Sequence, residues 1–354
     1  MDIGRMNHKE YGSEFYFPIA PQWCLDNAKD SSFLSQVIPL FFSGRAALHH
    51  LLVHGIKTRG WEDVYLPSYY CHEVYRFLIH LPIRVHYYPF NPLYDTKIAS
   101  DDAPDSSNCV LVNVSFFGMD LADTTHFTET VVIEDISHNL QAIKTSGAQY
   151  CFGSLRKELP MPVGGFCFSP LGYSIPKGIQ NHESEIVTEQ KINAMQHKYN
   201  YLKGIHEDKN IYRTLFAGAE AQFEASFTQA ALPKKAMDIL QLLDMDAILL
   251  QKRKNLEQAI AELEGIPGLQ LLGGKDNSPS FGLVLHCDTP QDRNLLKTHL
   301  VRNHIFPAVL WPDQTKKRDK ILEDGLLFIH TDFRYNAKDI SVITQAIKTH
   351  YKHD

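Results

Sequence analysis

The chain has 354 residues, 44% of them hydrophobic and 21% charged, which excludes a disordered or fibrous protein and exceeds what one hydrophobic core usually serves. Thirty-five basic against forty-one acidic residues give a net charge of −6, so there is no basic footprint for nucleic acid. Apolar runs such as 36–42 and 110–114 fall far short of the roughly 20 residues of a membrane span, and the first residues lack the apolar core of a secretory signal; neither membrane nor export is expected, and the cytoplasm is the expected compartment.

In chain order, a helix is predicted over 44–55, then a strand over 63–66, a helix over 73–80 and strands over 83–88, 109–116, 131–135, 149–155 and 165–169. Several of these strands are continuous apolar runs, as expected where both faces of a largely parallel sheet are covered. Residues 185–210 read as helical and polar, and 235–263 as one long helical stretch joining two domains. Beyond it come strands at 269–272 and 280–286, a helix over 290–303, strands at 306–310 and 326–330, and a last helix over 337–351. The division is 1–235 for a large α/β domain with an N-terminal arm and 236–354 for a small C-terminal α+β domain.

Six cysteines (Cys24, Cys71, Cys109, Cys151, Cys167, Cys287) form no C-x-x-C pair and no zinc-type spacing with histidine, so free thiols and no metal are expected.

Four local features carry chemistry. Ser43-Gly44-Arg45-Ala46-Ala47-Leu48 opens a helix with small residues, either an ordinary Ser43-capped helix or a backbone cradle for a phosphate. Val131 to Asp135 is an apolar strand ending in two carboxylates, with His138 just beyond. An aspartate there could hold a pyridinium nitrogen, or simply cap the next segment. Lys157 follows a strand inside a turn of prolines and paired glycines, where burial and Arg156 would lower its pKa and make its amine nucleophilic; a solvated basic turn is the plain alternative. Ser154, three residues earlier, is placed to donate to a phosphate. In the turn after Val64-Tyr65-Leu66-Pro67, Tyr70 and Cys71 are candidates to touch an aromatic ligand or to be core residues.

Together these residues resemble the DegT/DnrJ/StrS family of pyridoxal-phosphate-dependent sugar aminotransferases over most of the chain. Ser43 to Leu48 looks like the family's S-G-T-x-A-L turn, Asp63 to Ser68 its D-E-V-I-x-P-S strand, Phe116-Phe117-Gly118 its Y-F-G segment and Ile133 to His138 its V-I-E-D-A-A-[QH]. Phe306 to Trp311 and Leu327 to Ile340 resemble its closing strands and last helix. Lys157 precedes Gly164 and Gly165 by seven and eight residues, as the family's Schiff-base lysine precedes its Gly-Gly pair. The resemblance implies the type I fold of pyridoxal-phosphate enzymes, with a mostly parallel seven-stranded sheet in the large domain. It implies pyridoxal 5′-phosphate as cofactor, held covalently by Lys157, with Asp135 on the ring nitrogen, His138 on the ring or its phenolic oxygen, and Ser43, Gly44, Arg45 and Ser154 at the phosphate.

The implied reaction moves an amino group from an amino acid to a keto group on a nucleotide-linked sugar. The implied assembly is a homodimer whose partner completes the phosphate pocket, with Tyr212-Arg213 as candidates. Departures mark a divergent branch: Arg45 replaces a threonine or serine, Val163 a carboxylate, and Phe152 a serine. A lyase, desulfurase or dehydratase of the same fold and a non-catalytic protein with a decayed pocket stay open. A Rossmann-type nucleotide binder would need a G-x-G-x-x-G that is absent.

Overall fold

The computed structural model describes residues 9–16, 38–225, 227–272 and 280–351. Cys24 and most of the N-terminal arm lie outside these residues. In chain order the elements are β1 (Tyr11–Gly12), β2 (Leu40–Phe41), α1 (Gly44–Arg59), β3 (Asp63–Pro67), α2 (His72–Leu78), β4 (Arg84–Tyr88), β5 (Cys109–Val114), β6 (Val131–Asp135), β7 (Tyr150–Ser154) and β8 (Gly165–Phe168). They continue as α3 (His182–Leu202), α4 (Asn210–Ala225), α5 (Lys234–Leu240), α6 (Met245–Leu263), β9 (Gln270–Leu271), β10 (Leu283–His286), α7 (Pro290–Arg302), β11 (Ile305–Phe306), α8 (Lys317–Gly325), β12 (Leu326–Ile329) and α9 (Ala337–Tyr351).

Seven strands form one sheet in the order β2-β8-β7-β6-β5-β3-β4. From β4 to β7 every neighbouring pair is parallel, while β8 runs antiparallel to β7 and β2 antiparallel to β8. Every residue of β5 is buried, which is why its sequence reads as an apolar run and not as an alternation. Above the sheet, Leu48, Leu51 and Leu52 of α1 pack with Val64, Val110 and Val112; a second cluster gathers Ile136, Leu155, Phe166, Val187, Leu240 and Ile248.

The C-terminal part is built on an antiparallel sheet, β12-β10-β9, covered by α9 through Ile340, Ile343 and Ile347. Helix α6 joins the two parts, because Ile248 and Leu249 belong to the second cluster while Leu256, Ala259 and Leu263 belong to the C-terminal one. The N-terminal arm also reaches the C-terminal part: Tyr11 and Gly12 pair in parallel with Ile305 and Phe306. Among the described residues no helix is long and apolar enough to cross a membrane.

Several expectations change, three of them for reasons the packing shows. The first helix runs past Gly55 to Arg59, because Gly55 packs its bare backbone against the Trp61 ring while Gly60, at φ 69°, is the left-handed cap. The stretch 235–263 is two helices, since Asp244 accepts a hydrogen bond from Ala247 N at 2.9 Å and caps a new start. The strand at 306–310 shrinks to Ile305–Phe306; beyond it only Ala308 bridges to Phe328.

Candidate active site

Parallel strands present their C-terminal ends on one side, so residues that follow them converge. Tyr70 and Cys71 come after β3, Ser115 after β5, Asp135 ends β6, and Ser154 ends β7. The structure brings Ser43, Gly44, Arg45, Tyr70, Cys71, Asp135, His138, Ser154 and Lys157 around one cavity.

The local chain path explains the spacing of Lys157 to the glycine pair. Strands β7 and β8 form a hairpin in which Ser154 faces Gly165, and Leu155 N donates to Gly164 O at 3.0 Å. Lys157 closes a short 3-10 turn at the hairpin's head. Its returning arm passes under the start of α1: Gly164 N donates to Phe42 O at 2.8 Å, and a Cβ on Gly165 would overlap the backbone of Ser43 and Gly44. On the other side, a Cβ on Gly44 would meet Gly153 C and O at 3.1 Å. Three backbones therefore meet at the first turn of α1, where Ser43 caps the helix by accepting from Ala46 N at 3.1 Å.

Lys157 Nζ lies 3.1 Å from Nε2 of His138 and 5.8 Å from the centre of the Trp311 ring. Burial pushes the Lys157 amine below its usual value, with Arg156 and Arg45 adding and Cys71 and Asp135 opposing. Burial, together with Lys157 and Lys252, pushes His138 well below the usual histidine range, so its ring is neutral where it meets Nζ. The imidazole lies parallel to Phe281, centroids 4.0 Å apart, and to Trp311 at 5.5 Å. Its Nδ1 is buried with no partner among the described residues.

Asp135 Oδ1 accepts from Ser137 N at 2.9 Å, and Oδ2 accepts from the Tyr70 hydroxyl. Tyr70 is thus a partner of the carboxylate at the heart of the cavity. Burial, followed by Asp135, raises its hydroxyl well above the usual value, so it stays a donor.

Cations gather at the α1 end. Arg156 donates to Glu220 at 2.8 and 3.3 Å, Lys191 pairs with the same carboxylate at 2.5 Å, and Arg45 faces Glu73 at 3.5 Å. Burial opposes ionisation of Glu220, yet Arg156 and Lys191 hold it down at about 2.

Several lining residues escape the sequence reading. Trp311 lies within a run that resembles closing strands, and nothing in that run announces a cavity wall; Glu220 sits on α4 with no motif around it. Tyr212, a candidate to complete a partner's pocket, packs on Tyr201 at 5.5 Å within its own chain, and its hydroxyl donates to Glu10 at 3.4 Å.

No protein-family model matches the sequence, and no curated protein does. Solved structures do match. Spr1654 of Streptococcus pneumoniae, a candidate sugar aminotransferase in its PLP form, superposes with a TM-score of 0.61 at 10% identity over 96% of this chain and 99% of its own. The sugar aminotransferase CalS13 of Micromonospora echinospora gives 0.57 at 15% identity over 98% and 94%. This chain has fold type I. DesI, solved in the presence of its TDP-sugar product, has the same type I fold, with a TM-score of 0.59 at 14% identity over 93% of this chain and 86% of its own.

Proposed function

We propose that this protein is a pyridoxal-phosphate-dependent aminotransferase that carries an amino group from an amino acid to a keto group on a nucleotide-linked sugar. The observation that carries the reading is the pairing of a buried amine with a buried carboxylate across one cavity: Lys157 and Asp135, on the ends of neighbouring strands, with His138 at 3.1 Å from the amine.

Three features support the fit of the cofactor. The N-terminus of α1, where Gly44 lies against the Gly153 backbone, lines the cavity together with Ser43, Arg45 and Ser154, a suitable seat for a phosphate. The carboxylate of Asp135 has lone pairs beyond those used by Ser137 and Tyr70, enough to accept from a ring nitrogen. The unpartnered Nδ1 of His138 and its neutral ring border the same space.

When bound, pyridoxal phosphate supplies an aldehyde for an amine and a protonated ring that acts as an electron sink. Lys157 would be the amine that holds the aldehyde, and its lowered pKa leaves more of it unprotonated at neutral pH. With the cofactor bound, the free Nζ would be placed to take a proton from the donor's α-carbon, with the His138 imidazole 3.1 Å away to orient it. Asp135 keeps the ring nitrogen charged. Trp311 and Phe152 line the cavity walls with apolar rings.

Sugar aminotransferases share the type I fold, and DesI was solved with a TDP-sugar product, which supports the substrate class. A homodimer in the cytoplasm belongs to the same reading, with an interface above about 2,000 Å². The segment after β8 exposes Leu171, Tyr173 and Ile179, apolar side chains suited to such a contact.

The test is direct. Protein incubated with pyridoxal phosphate develops a visible band, borohydride fixes the adduct, and peptide mass spectrometry finds it on Lys157; Lys157→Met gains no band and loses activity by about a thousandfold or more. Adduct at other lysines only, or none, ends the reading.

A further inference from the structure

Directly after Lys157 comes a carboxylate that the chemistry above does not use. Glu158 is 2% exposed and pairs with Lys252 of α6, itself 3% exposed. The second oxygen of Glu158 accepts from Leu140 N at 2.8 Å, in the turn that begins two residues after His138. Lys252 in turn lies 5.3 Å from the centre of the Phe281 ring, and Phe281 is the ring stacked on His138 at 4.0 Å. One carboxylate thus ties together the turn that carries Lys157, the turn that carries His138, and the helix that joins the two parts of the chain.

We infer that Glu158 and Lys252 are a positioning pair that sets both where the Lys157 amine stands against His138 and how readily that amine loses its proton. A buried pair of this kind gains little net stability over apolar residues of similar volume, but removing one member leaves the other charge uncompensated in a medium where water cannot screen it. The uncompensated charge acts on its neighbours. The groups that act on Lys157 are His138 at 3.1 Å, just past β6, Asp135 at the end of β6, Cys71 ahead of α2, Arg45 from α1 and Arg156 from its own turn. Lys157 and Lys252 both face His138.

The inference deepens the role proposed for Lys157 but is tested without cofactor. The full chain is labelled with acetic anhydride across a pH series, and the Lys157 peptide is quantified by mass spectrometry. Glu158→Gln leaves Lys252 uncompensated and moves the labelling midpoint down; Lys252→Met leaves Glu158 uncompensated and moves it up. Each shift is about one pH unit, a tenfold change in free amine at fixed pH. The double variant Glu158→Gln/Lys252→Met keeps no buried charge there and returns the midpoint to that of the parent protein.

Opposed shifts that cancel in the double variant establish the pair. Shifts of one sign in all variants, or none, overturn it, because a merely structural role has no sign. If one single variant fails to fold, the other single and the double decide in the same way. A second arm adds pyridoxal phosphate: a parent protein that binds none would refute the proposed function and leave the labelling result standing.

Discussion

At the N-terminal ends of the large sheet's strands, charged groups satisfy one another. Asp63 accepts from Arg84 at 2.6 and 2.7 Å and faces His86 Nε2 at 2.7 Å, while Asp105 collects the backbone N–H groups of Thr128, Glu129 and Thr130. At the C-terminal ends the same kinds of group are turned inward on a cavity: an amine against an imidazole, a carboxylate with lone pairs to spare, and an imidazole nitrogen with no partner among the described residues. Closed networks hold strand ends together, whereas groups left facing a cavity are available to a ligand.

Substitutions at the two ends should therefore separate activity from stability. Next to the loss of Lys157 itself, the largest effect is expected for Asp135→Asn, which removes the charge from the cavity carboxylate but keeps its shape. Amino-donor half-reaction rates should fall by about 10²–10⁴-fold with the melting temperature nearly unchanged. A variant as active as the parent would erase the distinction at its sharpest point. Gly165→Ala strikes the backbone crossing under α1; it should cost about 3 kcal/mol in chemical denaturation and weaken cofactor uptake together. A neutral result would mean the crossing has slack.

The smallest effect belongs to the opposite end. Hydrogen bonding from Arg84, with burial opposing and His86 helping, holds Asp63 down at about 2 against an ordinary 3.8. A depressed carboxylate contributes stability above its unfolded value and loses it as pH falls from about 4 towards 2. Asp63→Asn should lower stability at neutral pH by about 1 kcal/mol, a figure limited by solvent screening, and the difference should vanish in that acid window with activity untouched. An activity loss would show that the two ends are coupled.

The sequence announced the strands of the large sheet well because their apolar runs are dictated by burial on both faces, as in Cys109 to Val114. Lys157, Asp135, His138 and the α1 turn were also legible, since each lies beside a strand end whose position the pattern betrays. What stayed hidden depends on contacts between distant segments. The two-residue pair β1–β11 has no periodicity to read, and α8 is polar and short. Glu158, Lys252, Glu220 and Trp311 look like ordinary surface or core residues until α4, α6 and the segment after β11 are folded against the sheet. The Tyr70 hydroxyl found Asp135 only through a turn whose shape the sequence does not specify.

Trp311 reaches the cavity from 154 residues beyond Lys157, and Gln314 in the same segment donates to Tyr70 O at 3.0 Å. During synthesis the strands of the large sheet are all available long before that wall exists. A nascent chain can therefore expose Lys157 in a half-open pocket, whose wall is complete only once the segment carrying Trp311 and Gln314 has left the ribosome and folded back.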